Sequence, residues 1–161
     1  DKGSAAAGSA DGVAANIKAV TGALDTITNF DVANDKLLLN KFDPTGLTSA
    51  KYVSTDVAGI TAGSTGIYVD AAGNELSIVG AGVGIVSFSA GNAAADAVTL
   101  DQKLFAVSEA MVSNTNKIAG FEHGGDFYVV ATGGASGSTT DDLVIKLAGV
   151  TGVTDITTLL A

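Results

Sequence analysis

Between residues 51 and 90 the chain is a succession of short strand-forming runs cut by glycine: Lys51-Tyr-Val53, Thr65-Gly-Ile-Tyr-Val69, Glu75-Leu-Ser-Ile-Val79 and Gly84-Ile-Val-Ser-Phe88. Runs this short, bounded by turn residues, satisfy their backbone only by pairing with one another, so the pattern predicts β structure. Asp70-Ala-Ala-Gly-Asn74 is a loop of hairpin length containing glycine and predicts a hairpin between the runs on either side of it. The available core filling agrees. Hydrophobic residues make up 47% of the chain, but aromatics only 6% with no Trp, which leaves Val, Ile, Leu and Ala to fill a thin β architecture.

The 161 residues suit one domain with a real core. Residues 1–22 mix Ala, Gly and Ser; Val13, Ile17 and Val20 allow one helical turn, and the rest reads as loop. Residues 24–30 and 36–42 read as a first strand pair, closed by a turn at Asp43-Pro44 and Gly46. One amphipathic helix is predicted near 97–113. There Leu100, Leu104, Val107 and Met111 form an apolar stripe, Thr99 and Gln102 fit a capping box, and Asp96 and Asp101 suit the positive end. The stripe is expected to pack on the sheet. His123-Gly124-Gly125 joins Lys117–Glu122 to Asp126–Val130 as a hairpin, and Asp141–Leu147 reads as the last full strand, followed by an apolar tail from Thr151 to Ala161.

Gly80, Gly82 and Gly84 do not make a phosphate loop, because Ile85-Val-Ser-Phe88 continues as strand where a nucleotide fingerprint needs a helix. The net charge is −9, and all eight basic residues are Lys. Nucleic-acid binding is therefore not expected, since it needs clustered cations that include Arg for bidentate reading. Without Cys, disulfide, thiolate and Cys-based metal chemistry are absent. His123 is the only histidine and sits in a turn, a poor basis for Ser-His-Asp catalysis or for zinc. No apolar run reaches the ~18 residues that span a bilayer, and a start at Asp1 without Met reads as a piece of a longer chain.

Calcium is the chemistry that the residue types favour. Fourteen of the 17 acids are Asp, which is short, favours turns and reaches a cation from a tight loop. Asp25, Asp31, Asn34 and Asp35 form one candidate metal cluster; Asp141 and Asp142, beside the Gly/Ser/Thr loop 132–140, form another. The same residues equally serve as turn formers and caps.

Asp25-Thr-Ile-Thr-Asn-Phe-Asp, then Asn34-Asp35-Lys-Leu-Leu-Leu39, resembles the segment D-x-I-x-x-F … x-D-K-I-x-L. That segment follows the calcium repeats in RTX-like bacterial proteins exported by type I secretion. Phe121–Val130 and Asp141–Val150 are similar to the G-x-x-Y-V … D-x-V-I-x-L-x-G-V ending of the same group, which includes surface-layer proteins, large adhesins, proteases and lipases. The chain has neither H-E-x-x-H nor G-x-S-x-G, so the enzymatic members match poorly. No G-G-x-G-x-D repeat is present either; Gly133-Gly134-Ala-Ser-Gly-Ser stands nearest to it.

The resemblance implies a single β-rich C-terminal domain over 1–161, with 1–50 as a β-roll junction and 51–161 as a globular cap. It implies β-roll or sandwich-like sheets, one or two Ca²⁺ ions, self-association in a lattice or oligomer, use of the type I secretion machinery, and a secreted or cell-surface location. The function expected is a non-catalytic structural module for secretion and calcium-assisted folding or surface-layer assembly. The alternative is an adhesin domain that binds a glycan or protein ligand through Tyr52, Tyr68 and Tyr128.

Overall fold

The computed structural model describes residues 24–41, 50–51, 58, 65–69, 75–90, 99–111, 117–131 and 143–161. These residues are mostly β with one helix, as the strand-and-glycine pattern requires. In chain order the elements are β1 (Asp25–Ile27), β2 (Asn40–Lys41), β3 (Ala50–Lys51), β4 (Thr65–Val69), β5 (Glu75–Gly82), β6 (Ile85–Ala90), α1 (Leu100–Met111), β7 (Ile118–His123), β8 (Asp126–Ala131) and β9 (Leu143–Leu147), ending in a 3-10 turn at Ile156–Leu159. Seven strands form one mixed sheet in the order β1-β9-β8-β7-β6-β5-β4, and β2 pairs with β3.

Both predicted hairpins form. β4 and β5 pair antiparallel from Val69 opposite Glu75, and β7 and β8 pair from His123 opposite Asp126. The second hairpin turns on two residues, Gly124 (φ 62°) and Gly125 (φ 84°), the left-handed pair that a tight hairpin demands and that glycine supplies without a Cβ clash. Gly80 and Gly82 lie in β5 on either side of a register shift, and Gly84 (φ 65°) turns the chain into β6. These glycines thus shape a hairpin.

The first strand pair is a correction. Segment 24–30 does not pair with 36–42; β1 runs parallel to β9, Asp25 to Ile27 opposite Ile145 to Leu147, and β2 pairs with β3. Between them the chain turns back, with Asn29 in the left-handed region (φ 61°) and a tight turn after Asp31. The Asp43-Pro44 turn, residues 1–22 and the loop 132–140 lie outside the described residues.

The helix joins β6 to β7, which run parallel, as a crossover requires. Its capping box is made: the Thr99 amide donates to Gln102 Oε1 (3.0 Å) and the Gln102 amide to Thr99 Oγ1 (3.3 Å). Leu104, Val107 and Met111 are buried, and Leu100 packs partly beside them.

Period-2 alternation puts opposite faces of the sheet into two cores. On the helix side Val86, Phe121, Tyr128, Val130 and Val144 meet the apolar stripe of α1. On the other side Ile85, Ile118, Phe127, Val129, Ile145 and Leu147 are covered by Leu37 and Leu39 and by Val150, Val153, Ile156, Leu159 and Leu160. Residues on both sides of position 50 therefore share one core. Among the described residues the seven-stranded sheet is mixed, and its two faces are covered by a helix on one side and by a returning chain on the other.

Candidate functional site

Asp31, Asn34 and Asp35 do come together, through local turn chemistry. The Ala33 amide donates to Asp31 Oδ1 (2.9 Å), Asn34 Nδ2 donates to Asp31 Oδ2 (2.7 Å), and the Asp31 amide donates to Asp35 Oδ2 (2.9 Å). The backbone closes the same turn, with the Asn34 and Asp35 amides donating to the Asp31 carbonyl at 3.0 and 2.7 Å. Asp31 is consequently held below the usual carboxylate range, first by Asn34, then by the Ala33 amide.

Each oxygen of Asp31 accepts one N–H group, which leaves each a second lone pair. Asp25 starts β1 instead. Among the described residues no group of three or more His, Asp or Glu gathers as a metal site. Asp141 and Asp142 lie outside the described residues.

A second set of polar contacts, around the β7–β8 hairpin, escaped the sequence reading. Asp126 pairs with Lys146 at 2.5 Å and accepts from the Gly149 amide at 2.8 Å; Glu122 accepts from the Gly152 amide at 2.5 Å. Lys146, with the Gly149 amide second, holds the Asp126 carboxyl below its ordinary range, and Asp126 in turn raises Lys146. Gly149 (φ 74°) and Gly152 (φ 75°) present their amides from left-handed backbone. Two acids from one hairpin thus clasp the segment that follows β9.

That segment, from Val150 onward, crosses the sheet as a strap. Asp155 caps its 3-10 turn: the Thr157 amide and hydroxyl donate to Asp155 Oδ1 at 2.8 and 2.6 Å. The Ile156 amide donates to the Val83 carbonyl (3.0 Å), the Leu37 amide to the Leu159 carbonyl (2.6 Å), and the Ala161 amide to the Leu37 carbonyl (3.2 Å). Lys36 Nζ donates to the Thr158 carbonyl and, at 3.5 Å, to that of Val32. Lys36 therefore ties the acidic turn to the strap.

Comparison with known protein families, with curated proteins and with solved structures finds no match for this chain.

Around His123 the hairpin places Asp126 and Tyr128, and α1 places Lys103. The imidazole is held below its ordinary range by burial first and Lys103 second, with Asp126 opposing. Lys103 donates to the Glu122 carbonyl (3.0 Å) and lies 5.1 Å from the centre of the Phe88 ring; burial lowers its pKa against the pull of Glu122. Tyr128 is buried, stacked on its cross-strand partner Phe121 with centroids 5.5 Å apart. It serves the core and is no exposed platform for a sugar. Tyr68 falls on β4, and Tyr52 lies outside the described residues. Among the described residues no helix is long and apolar enough to cross a membrane.

Proposed function

We propose that the chain is a non-catalytic structural module of an exported bacterial surface protein, serving secretion and self-assembly at the cell surface. The supporting observation is the union of two distant segments that carry the resemblance to type I secreted surface proteins. Asp25–Ile27 runs parallel to Ile145–Leu147, and Leu37 bridges Leu160. Segments that must recur together in sequence to build one core give a physical reason for a two-part signature.

Calcium keeps its place in this reading through the residue types and the sequence resemblance, and in the 31–35 turn it would share the Asp31 and Asp35 carboxylates with the amides that donate to them. The test is export of a reporter carrying residues 1–161 from bacteria with and without a type I transporter. Transporter-dependent appearance in the medium or on the cell surface is the expected result. Equal retention inside both strains overturns the reading. Calorimetric titration of the purified chain with millimolar Ca²⁺ tests the calcium part separately: no heat and an unchanged melting temperature remove it.

A further inference from the structure

We infer that the C-terminal strap, Val150–Ala161, is exchangeable between two copies of this chain, each strap seating in the groove that the other copy's strap leaves. Four observations carry this. First, the groove is strongly apolar: Val150, Val153, Ile156, Leu159 and Leu160 cover a face lined by Ile85, Phe127, Val129 and Leu147, with Ile156 and Leu159 wholly buried. A groove left by its own strap exposes that face and demands an apolar occupant. Second, the occupant that fits is known, because the strap of an identical chain reproduces every contact by identity.

Third, among the described residues the strap is held to backbone at separate points. Its bridges are Leu37 with Leu160 and Val83 with Asp155, both isolated and parallel, so no continuous ladder has to be unzipped. Fourth, between β9 and the buried part of the strap the chain passes through Gly149 and, inside the strap's first residues, Gly152, whose φ values of 74° and 75° glycine can exchange for extended backbone without a Cβ penalty. Glu122 and Asp126 fasten that connection from the hairpin by accepting the Gly152 and Gly149 amides. They act as the latch that keeps the strap on its own chain. The contacts stand independently of the export reading, which they extend by giving self-assembly a physical element.

The chain has no Cys, so single cysteines report exchange cleanly. Val83→Cys and Asp155→Cys variants are prepared separately, mixed, brought to the midpoint of a urea transition, refolded at high concentration and treated with a short bis-maleimide. Exchange places the thiol introduced at position 83 of one copy beside the thiol introduced at position 155 of the other, giving a covalent heterodimer several-fold above the homodimers formed by either variant alone. Because Asp155→Cys removes the cap of the 3-10 turn, the mixture is repeated with Thr154→Cys, which keeps it. A double variant, Val83→Cys with Asp155→Cys, is cross-linked within one chain before the urea step and should remain monomeric in size-exclusion chromatography while the uncross-linked chain dimerises. Heterodimer no greater than the homodimer background in both mixtures, or equal dimerisation of the locked chain, overturns the inference. Neither outcome depends on the transporter experiment.

Discussion

The carbonyl oxygen of Thr154 lies over Gly82 so closely that a Cβ on that glycine would fall 2.0 Å from it. The strap therefore crosses the β5–β6 turn where the sheet carries no side chain, one residue before the bridge from Val83 to Asp155. Replacing Gly82 by Ala sets a side chain against backbone, which cannot rotate away, and overpacking of this kind costs about 1–3 kcal/mol. At roughly 2–4 °C per kcal/mol for a chain of this size, Gly82→Ala should melt several degrees lower in a thermal scan. An unchanged melting temperature would show that the strap does not sit against β5.

Ile156 tests the other end of the same packing. It is wholly buried, and its Cδ1 reaches to 3.0 Å from where a Cβ on Gly120 would stand, with the Phe127 ring at 2.5 Å. Ile156→Ala leaves a cavity between the strap and β7 and should cost about 2–5 kcal/mol. Urea unfolding at constant slope is the measurement. A loss below about 0.5 kcal/mol, the size of an ordinary surface change, would mean that the strap is already detached.

The elements that were legible in the sequence are those whose cause is local. The Thr99–Gln102 box, the Leu104–Val107–Met111 stripe and the two-residue turn at Gly124-Gly125 each depend on residues within a few positions of one another, and each forms as expected. The β1–β9 and β6–β7 pairings are parallel, join distant segments, and leave no turn signal between them to read. The Asp31–Asn34–Asp35 cluster was visible because an Asx turn is local too. Residue type alone could not tell amides from a cation as its partners. The Asp155 cap has a signal, Asp followed two residues later by Thr, which the surrounding apolar tail obscures.

Asn29 is the described non-glycine residue with positive φ, at 61°, and its exposed side chain leaves backbone geometry as the main determinant there. Asn tolerates this conformation, whereas a β-branched residue does not. Asn29→Val should destabilise by about 1–2 kcal/mol, while Asn29→Gly should stay close to wild type in the same denaturation experiment. Equal effects of the two substitutions would show that the turn takes another conformation in solution.

His123 gives a pH dependence of definite sign. Its folded pKa lies below 6.5, chiefly through burial and secondly through Lys103, with Asp126 opposing, so on acidification the unfolded chain takes up the proton first. Stability that is complete above pH 6.5 is lost as pH falls through the folded pKa. His123→Gln should flatten this part of a stability–pH curve. A wild-type curve that is level from pH 7 to 5, with the variant superimposed, would remove the imidazole from any such role.

The Asp126–Lys146 pair should fail at both ends of the pH scale, for opposite reasons. The Asp126 carboxyl is depressed below 3.8, so its contribution is present above that value and is lost as pH falls through the folded pKa. The Lys146 ammonium is raised above 10.5, so its contribution is complete below 10.5 and is lost as pH rises through the folded value. Asp126→Asn keeps an oxygen for the Gly149 amide but removes the charge, and Lys146→Met removes the partner. Either substitution should therefore blunt both limbs of the curve, while Asp31→Asn, at a carboxylate held down by Asn34 and the Ala33 amide, should change the acid limb alone. Amide exchange at Gly149, followed by NMR, separates the charge from the latch: Asp126→Ala should speed it, and Asp126→Asn should leave it nearer wild type. Equal exchange in all three proteins would show that the carboxylate does not hold the strap's connection.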